Sequence, residues 1–172
     1  MGSEPTLHRW PLGTDPTGAT AVSIGRTIGE GDFSLLTNLT WLTGEAHVNR
    51  LHGGGDDDGR VLPPITVAAV GLGLGWTSSM RGKLIAEFGL QALKSTSLTV
   101  TGGVGVHPGD TLHVASSVDA AVVTVGADGQ EMALTIAHDV RNQRDETTVV
   151  IIQQLLVCPA VHRPMATNSE RN

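Results

Sequence analysis

A carboxylate and an imidazole lie two residues apart in the stretch Thr43–Asn49, between an amphipathic segment and a glycine-rich loop. Glu45 and His47 are residue types that exchange protons with a substrate when a pocket holds them together. In an extended segment their side chains would lie on the same side of the chain. Two simpler interpretations remain open: a histidine that caps the preceding helix, and a solvated carboxylate at the end of that helix.

The segment before this pair is predicted to be a helix from Asp32 to Thr43. Its apolar residues recur every three or four positions, which is typical of one buried helical face. They are Phe33, Leu35, Leu36, Leu39 and Leu42. Asp32 is the predicted N-cap and Gly44 the predicted C-terminal stop.

A second helix is predicted after the loop at residues 50–60. Pro63 and Pro64 open it, because proline is tolerated in a first turn. The helix spans about residues 65–80 and is apolar nearly all round, which predicts that it is buried. Its glycines at 71, 73 and 75 each cost about 1 kcal/mol in a helix interior. They would let an acyl chain or a strand approach the helix closely.

The remaining segments are β in character. Predicted strands cover Ala21–Ile28, Leu84–Thr101, Thr111–Val125, Met132–Val140 and Thr147–Val157. Turns at residues 127–129 and 142–145 separate the last three. This order predicts an α+β domain in which an antiparallel sheet wraps a buried helix. We expect an extended arm over residues 1–20, the folded domain over 21–158 and a flexible tail over 159–172.

Composition argues against several classes of protein. The net charge is −6 without a basic stripe, so no nucleic-acid partner is expected. Cys158 is the only cysteine, which excludes an internal disulfide and a cysteine-rich metal site. The longest apolar run, Ile65–Trp76, is shorter than the roughly 20 residues that span a bilayer. The sequence predicts a cytoplasmic protein without a membrane contact, metal or cofactor.

Four segments, in order along the chain, carry a resemblance to a known enzyme family. They are Leu42–Glu45 with His47–Asn49, Gly59–Val61, His107–Leu112 and Val140–Gln143. Together they resemble the motifs of MaoC-like hydratases and dehydratases over about residues 21–157. The resemblance implies a single hotdog domain, with an antiparallel sheet around a central apolar helix. It also implies a homodimer, in which pairing covers an exposed edge strand.

The resemblance implies hydration of an enoyl thioester, or the reverse dehydration, on coenzyme A or an acyl carrier protein. By position, Glu45 takes the role of the carboxylate and His47 that of the imidazole, while Asn49 matches a polar residue of the motif. The stretch is three residues shorter than the family pattern. A backbone amide at the start of the central helix would polarise the thioester carbonyl. Because Pro63 and Pro64 have no N–H, this role passes to Ile65 or Thr66.

Two further residues complete the predicted substrate site. Trp76 is expected in the core or the pocket wall, and Arg81 is expected to contact the phosphates of coenzyme A or pantetheine, with a solvated surface position as its alternative. Two other functions remain open. One is an isomerase or cyclase that tailors a polyketide-like intermediate, and the other is a non-catalytic hotdog that binds an acyl chain or a partner. Fatty acid or polyketide metabolism is the expected setting.

Overall fold

The sheet is antiparallel throughout the part of the chain that the computed structural model describes, which is residues 15–41, 44–52, 59–126 and 129–159. Its strands are β1 (Thr20–Val22), β2 (Arg26–Thr27), β3 (Leu90–Gly102), β4 (Thr111–Gly126), β5 (Gly129–Arg141) and β6 (Thr147–Pro159). The strand order is β1-β4-β5-β6-β3, and β2 also pairs with β4. The predicted α+β architecture with an antiparallel sheet is confirmed.

The helices lie between β2 and β3. They are α1 (Glu30–Leu39), α2 (Glu45–Val48), α3 (Pro64–Leu72), a π-helical segment (Gly73–Met80) and α4 (Arg81–Phe88). The last three run into one another without a break and form one central helix. Gly89 ends it in the left-handed conformation, at φ 62°, which glycine adopts without steric cost.

Several predicted boundaries of these elements were wrong. The helix α1 begins two residues before Asp32, after an N-cap at Gly29, so Asp32 lies in its first turn. Gly44 does not stop that helix but caps the start of α2. Residues 84–88 were predicted as strand but are helical. Leu84 is fully buried against the inner face of the sheet, and this packing outweighs the local β propensity.

The first predicted strand, Ala21–Ile28, is divided in two. Ser23 interrupts it because its backbone N–H donates to Val114 O while its own Oγ accepts from Val114 N–H, each at 2.9 Å. The side chain thus replaces one backbone partner, and β1 and β2 pair with β4 on either side of this position.

The core consists of two apolar clusters. One surrounds α3 and includes Phe33, Val67 and Ile151, and the other surrounds the end of the central helix and includes Met80 and Leu84. Between them, the inner face of the sheet carries three buried polar residues on neighbouring strands, which we call the polar belt. They are Ser116 on β4, His138 on β5 and Gln153 on β6.

Parts of four predicted segments lie outside the described residues. They are residues 1–14 of the arm, 160–172 of the tail, 53–58 of the loop and 127–128 of one turn. The end of the predicted arm belongs to the domain, because Gly18 N–H donates to Val118 O at 2.8 Å. Within the described ranges, no helix combines the length and apolar character needed to cross a membrane.

Candidate functional site

His47 is held in one orientation by the backbone beside it. It lies in α2, a single helical turn that is joined to the segment before α3 by the hydrogen bond from Val61 N–H to Ala46 O at 2.8 Å. His47 Nδ1 lies 2.7 Å from Val61 O. A carbonyl oxygen only accepts, so Nδ1 carries the proton and Nε2 presents a lone pair in the neutral ring. This is the tautomer that a general base requires.

A small cavity lies between α1 and α2, and His47 is part of its wall. Its volume is about 120 Å³. The lining residues are Phe33, Ser34, Thr37, Asn38, His47, Val48 and Arg60. Of the residues predicted for the site, only His47 belongs to this lining.

Arg60 belongs to the cavity lining, and its positive charge is paired with the carboxylate of Glu30. Its side chain is buried, its Nη2 lies 2.8 Å from each carboxylate oxygen of Glu30, and its guanidinium lies over the Phe33 ring at 5.1 Å from the centroid. Guanidinium groups tolerate such positions when a carboxylate and an aromatic face compensate them. The ion pair between Arg60 and Glu30 also joins α1 to the segment that carries Val61.

Glu45 lies outside this cavity. The two side chains would share one side in an extended segment, but residues 45–48 form a helical turn. In a helix, residues at positions i and i+2 do not face each other. Glu45 is exposed and is not among the lining residues, whereas His47 is half-buried and is one of them. The pairing of the two side chains therefore stays a prediction without geometric support.

Three other predicted residues also lie away from the cavity lining. Asn49 is exposed, and its side-chain oxygen accepts from Leu51 N–H at 3.0 Å, which makes it a turn residue. Trp76 is half-buried and packs against the second core cluster. Arg81 is exposed at the first position of α4.

The start of α3 offers one amide of the two that were predicted. Pro63 O accepts from Thr66 N–H at 2.9 Å and from Val67 N–H at 3.1 Å, so the Thr66 amide is engaged. The Ile65 amide has no hydrogen-bond partner within the described residues, and its side chain is exposed. The Thr66 hydroxyl is buried without a partner there as well. Of the two predicted amides, Ile65 N–H is thus the one without a partner in the described chain.

The polar side chains of α1 were missed from the sequence. Thr37 and Asn38 follow Ser34 by three and four residues, and all three belong to the lining of the cavity. The predicted apolar face of the helix is only partly correct, because Phe33 is fully buried but Leu35 and Leu39 are exposed. The signal was present, since a polar set at helical spacing runs beside the apolar one.

A second imidazole lies in the polar belt rather than in the cavity. His138 Nε2 lies 3.2 Å from Gln153 Oε1, and Ser116 Oγ lies 2.8 Å from His138 Nδ1. Gln153 Oε1 accepts, so Nε2 carries the proton and the serine hydroxyl donates to Nδ1. Burial lowers the pKa of His138, and the hydrogen bond to Gln153 opposes this shift. The ring is therefore neutral at neutral pH.

No metal site emerges from the residues that the structure describes. They contain no group of three or more histidine, cysteine, aspartate or glutamate side chains that could hold an ion.

Solved structures provide the comparison that decides the fold. The chain is similar to a MaoC-like dehydratase from Rhodospirillum rubrum, with 18% identity, a TM-score of 0.62, and coverage of 83% of this chain and 92% of that one. It is also similar to a (3R)-hydroxyacyl-ACP dehydratase complex, HadBC, from Mycobacterium tuberculosis, with 11% identity, a TM-score of 0.63, and coverage of 83% and 97%. No family model matches the sequence, and no curated protein does.

The chain has a hotdog fold. A third similar structure is an (R)-hydratase from A. caviae, with 14% identity, a TM-score of 0.52, and coverage of 82% of this chain and 94% of that one. The predicted resemblance to MaoC-like proteins is thus confirmed at the level of the fold. In this hotdog, the central helix is the continuous segment 64–88, and His47 lies before the N-terminus of that helix in the chain.

Proposed function

We propose that this hotdog protein binds an acyl thioester and adds water to its 2-enoyl form, or removes water from its 3-hydroxyacyl form. The observation that carries the proposal is the 2.7 Å contact between His47 Nδ1 and Val61 O at the wall of the cavity. It leaves the lone pair of the neutral ring on Nε2, and the ring belongs to the wall of a space with room for a short acyl group. The structural likeness to dehydratases and hydratases supports the same reaction class.

One imidazole is sufficient for a syn elimination. His47 Nε2 removes the proton from the carbon next to the thioester carbonyl, and the electron pair of the C–H bond forms the new double bond. The C–O bond at the third carbon then breaks, and the imidazolium returns the proton to the departing hydroxyl, which leaves as water. Hydration follows the same steps in reverse. Proton transfer by a positioned side chain contributes about 10²–10⁴-fold to such a rate.

The thioester oxygen needs a donor while negative charge develops on it. Ile65 N–H is suited to this role in the proposal, because it is unpartnered in the described chain and lies in the first turn of α3. A helix N-terminus carries partial positive charge and stabilises an oxyanion there. The proposal assigns no donor role to the Thr66 amide, since Pro63 O already accepts from it.

The test of the proposal is turnover of crotonyl-coenzyme A in wild-type protein and in His47→Asn. Asparagine keeps an amide N–H near the position of Nδ1, so the contact to Val61 O is retained while the base is lost. We expect a loss of about 10²–10⁴-fold in kcat/KM. Circular dichroism and the melting temperature show whether the variant is folded. Equal turnover in a folded His47→Asn variant would sink the proposal.

The carboxylate is tested by Glu45→Gln, which preserves the size of the side chain. Because Glu45 is exposed outside the cavity lining, we expect kcat/KM to stay within about threefold of wild type, the range of an ordinary surface substitution. A loss comparable to that of His47→Asn would show that the two side chains do act as a pair.

A second candidate function is isomerisation of an enoyl thioester, favoured by the position of Glu45 outside the cavity. A single base moves a proton from one carbon to another without holding a water molecule. The discriminating substrate is 3-butenoyl-coenzyme A: an isomerase converts it to the 2-enoyl thioester and leaves that product unhydrated. A cyclisation of a polyketide-like intermediate would use the same base. Thioester binding without turnover would instead indicate a non-catalytic acyl-binding protein.

We further propose that two copies form a homodimer through β3. This strand pairs only with β6 within the described chain and is the edge of the sheet. Leu98 on it is 42% exposed, and an unpaired strand edge favours association with another chain. Sedimentation equilibrium should give twice the mass of the chain, and a monomer at micromolar concentration would contradict this part of the proposal.

A further inference from the structure

We infer that the acyl group accepted by the cavity is short and carries a neutral oxygen function, a ketone or a hydroxyl, near the far end of its chain, in addition to the oxygen at the third carbon that takes part in the reaction. This inference rests on the proposed binding of an acyl thioester and names the class of that substrate. It follows from the size of the cavity, the polarity of the α1 face and the compensated charge of Arg60.

The size of the cavity limits the length of the chain. Its volume is about 120 Å³ as the described residues bound it. An apolar protein cavity of about 150 Å³ holds benzene, a molecule of about six carbon atoms. About four to six carbon atoms therefore fill this space, and the rest of a longer chain would extend beyond the lining residues.

The α1 face of the cavity is built for hydrogen bonds. Ser34, Thr37 and Asn38 together present two hydroxyl groups and one amide. The Thr37 side chain is the decisive one, because the residue is 3% exposed and its Oγ1 has no hydrogen-bond partner in the described chain. Buried polar groups without partners are rare in folded proteins and cost free energy. A ligand oxygen would remove that cost, whereas an alkyl chain would increase it by displacing water from Ser34 and Asn38.

The charge of the cavity excludes an acidic chain as the preferred ligand. Arg60 is the only lysine or arginine among the lining residues, and its Nη2 already contacts both carboxylate oxygens of Glu30. A second carboxylate on the substrate would have to displace Glu30 from this ion pair. A ketone oxygen can accept hydrogen bonds from the side chains of α1, and a hydroxyl can donate and accept them. Neither group needs to displace Glu30 from Arg60.

The experiment compares the binding of saturated thioesters, which do not react. The probes are the pantetheine thioesters of hexanoic and 5-oxohexanoic acid and of pentanoic and 4-oxopentanoic acid, measured by isothermal titration calorimetry on the full chain. Within each pair we expect the oxo compound to bind at least about tenfold more tightly. A site that hydrogen-bonds a substrate oxygen discriminates strongly against the analogue that lacks it.

Three variants assign the preference to Thr37. Thr37→Val keeps the shape of the side chain and removes the hydroxyl, so the oxo preference should fall by about fivefold or more. Thr37→Ser should restore it. Thr40→Val is the matched control on the same helix, because the Thr40 hydroxyl bonds to Leu36 O and Thr37 O rather than lining the cavity; it should leave the preference unchanged.

The outcomes separate this inference from the proposed reaction. An oxo preference that Thr37→Val removes supports the inference even when crotonyl-coenzyme A is not hydrated, in which case the reaction alone is wrong. Equal binding within each pair, tighter binding of the alkyl compounds, or a preference that Thr37→Val leaves intact overturns the inference. Failure of all four probes to bind overturns it as well.

Discussion

At the scale of single residues, the chemistry of this chain depends on which polar atoms already have partners. His47 is useful because Val61 O holds its Nδ1, which leaves Nε2 with a lone pair. The Thr66 amide is not available because Pro63 O accepts from it, while the Thr66 hydroxyl is buried without a partner in the described chain. Thr66 thus carries a backbone amide that has a hydrogen-bond partner and a hydroxyl that has none in the described chain.

The unsatisfied hydroxyl leads to a prediction about stability. Thr66→Val should leave the free energy of unfolding unchanged or raise it by up to about 1 kcal/mol, because an isosteric apolar side chain removes a buried group that lacks a partner. The control is Thr148→Val, since the Thr148 hydroxyl donates to Val140 O at 2.9 Å and is equally buried. That variant should lose about 1 kcal/mol. Urea unfolding measures both, and a greater loss in Thr66→Val would contradict the assignment.

At the scale of elements, the glycines of the central helix decide how closely the sheet approaches it. A Cβ atom at Gly75 would lie 2.7 Å from Val114 Cγ1 and 2.9 Å from both His138 Nδ1 and Ser116 Oγ. Gly75 is therefore the point where the π-helical segment rests on the polar belt. At Gly73 a Cβ would meet no atom within 4 Å. In the sequence these glycines are equivalent, but their distances to the sheet differ.

This difference predicts opposite effects of one substitution at two positions. Gly75→Ala should lower the free energy of unfolding by about 1–3 kcal/mol, because the new methyl group overpacks the core against three neighbours. Gly73→Ala should raise it by about 0.5–1 kcal/mol, since alanine favours the helical backbone that Gly73 adopts at φ −57°. Chemical denaturation of the pair measures both values. A stabilised Gly75→Ala variant would show that the helix is not held against the belt.

At the scale of the whole molecule, the polar belt divides one apolar core into two. Ser116, His138 and Gln153 lie on adjacent strands of the inner face and bond to one another. Each bond satisfies a group that would otherwise be costly to bury. The belt therefore favours one register of β4, β5 and β6, since a shift by one residue would turn all three side chains to the other face.

The belt also couples the stability of the fold to pH. Burial lowers the pKa of His138 from its ordinary value of 6.5, so below that pH the unfolded chain binds a proton that the folded chain does not. Stability then falls as the pH decreases from about 6.5 toward the folded pKa, by at most about 1.4 kcal/mol per pH unit. Urea midpoints at pH 7.5, 6.5 and 5.5 should show this decline.

Two variants assign the decline to His138. His138→Gln should flatten the pH dependence between 6.5 and 5.5, because glutamine does not titrate. His52→Gln, at an exposed position, should retain it. An unchanged slope in His138→Gln would show that other groups carry the pH dependence.

The sequence alone determined the order of the elements, the antiparallel strands and the buried central helix, because apolar periodicity and turn residues are local signals. It also singled out His47, although the geometry that favours this residue as a base comes from Val61, 14 positions away. The tertiary structure alone decided which neighbour of His47 shares its cavity. Glu45 is two residues away in sequence but is exposed on a helical turn, whereas Thr37 of α1 belongs to the cavity lining and its buried hydroxyl has no partner in the described chain. Side-chain direction and the pairing of buried polar groups depend on contacts between distant segments, which sequence spacing does not specify.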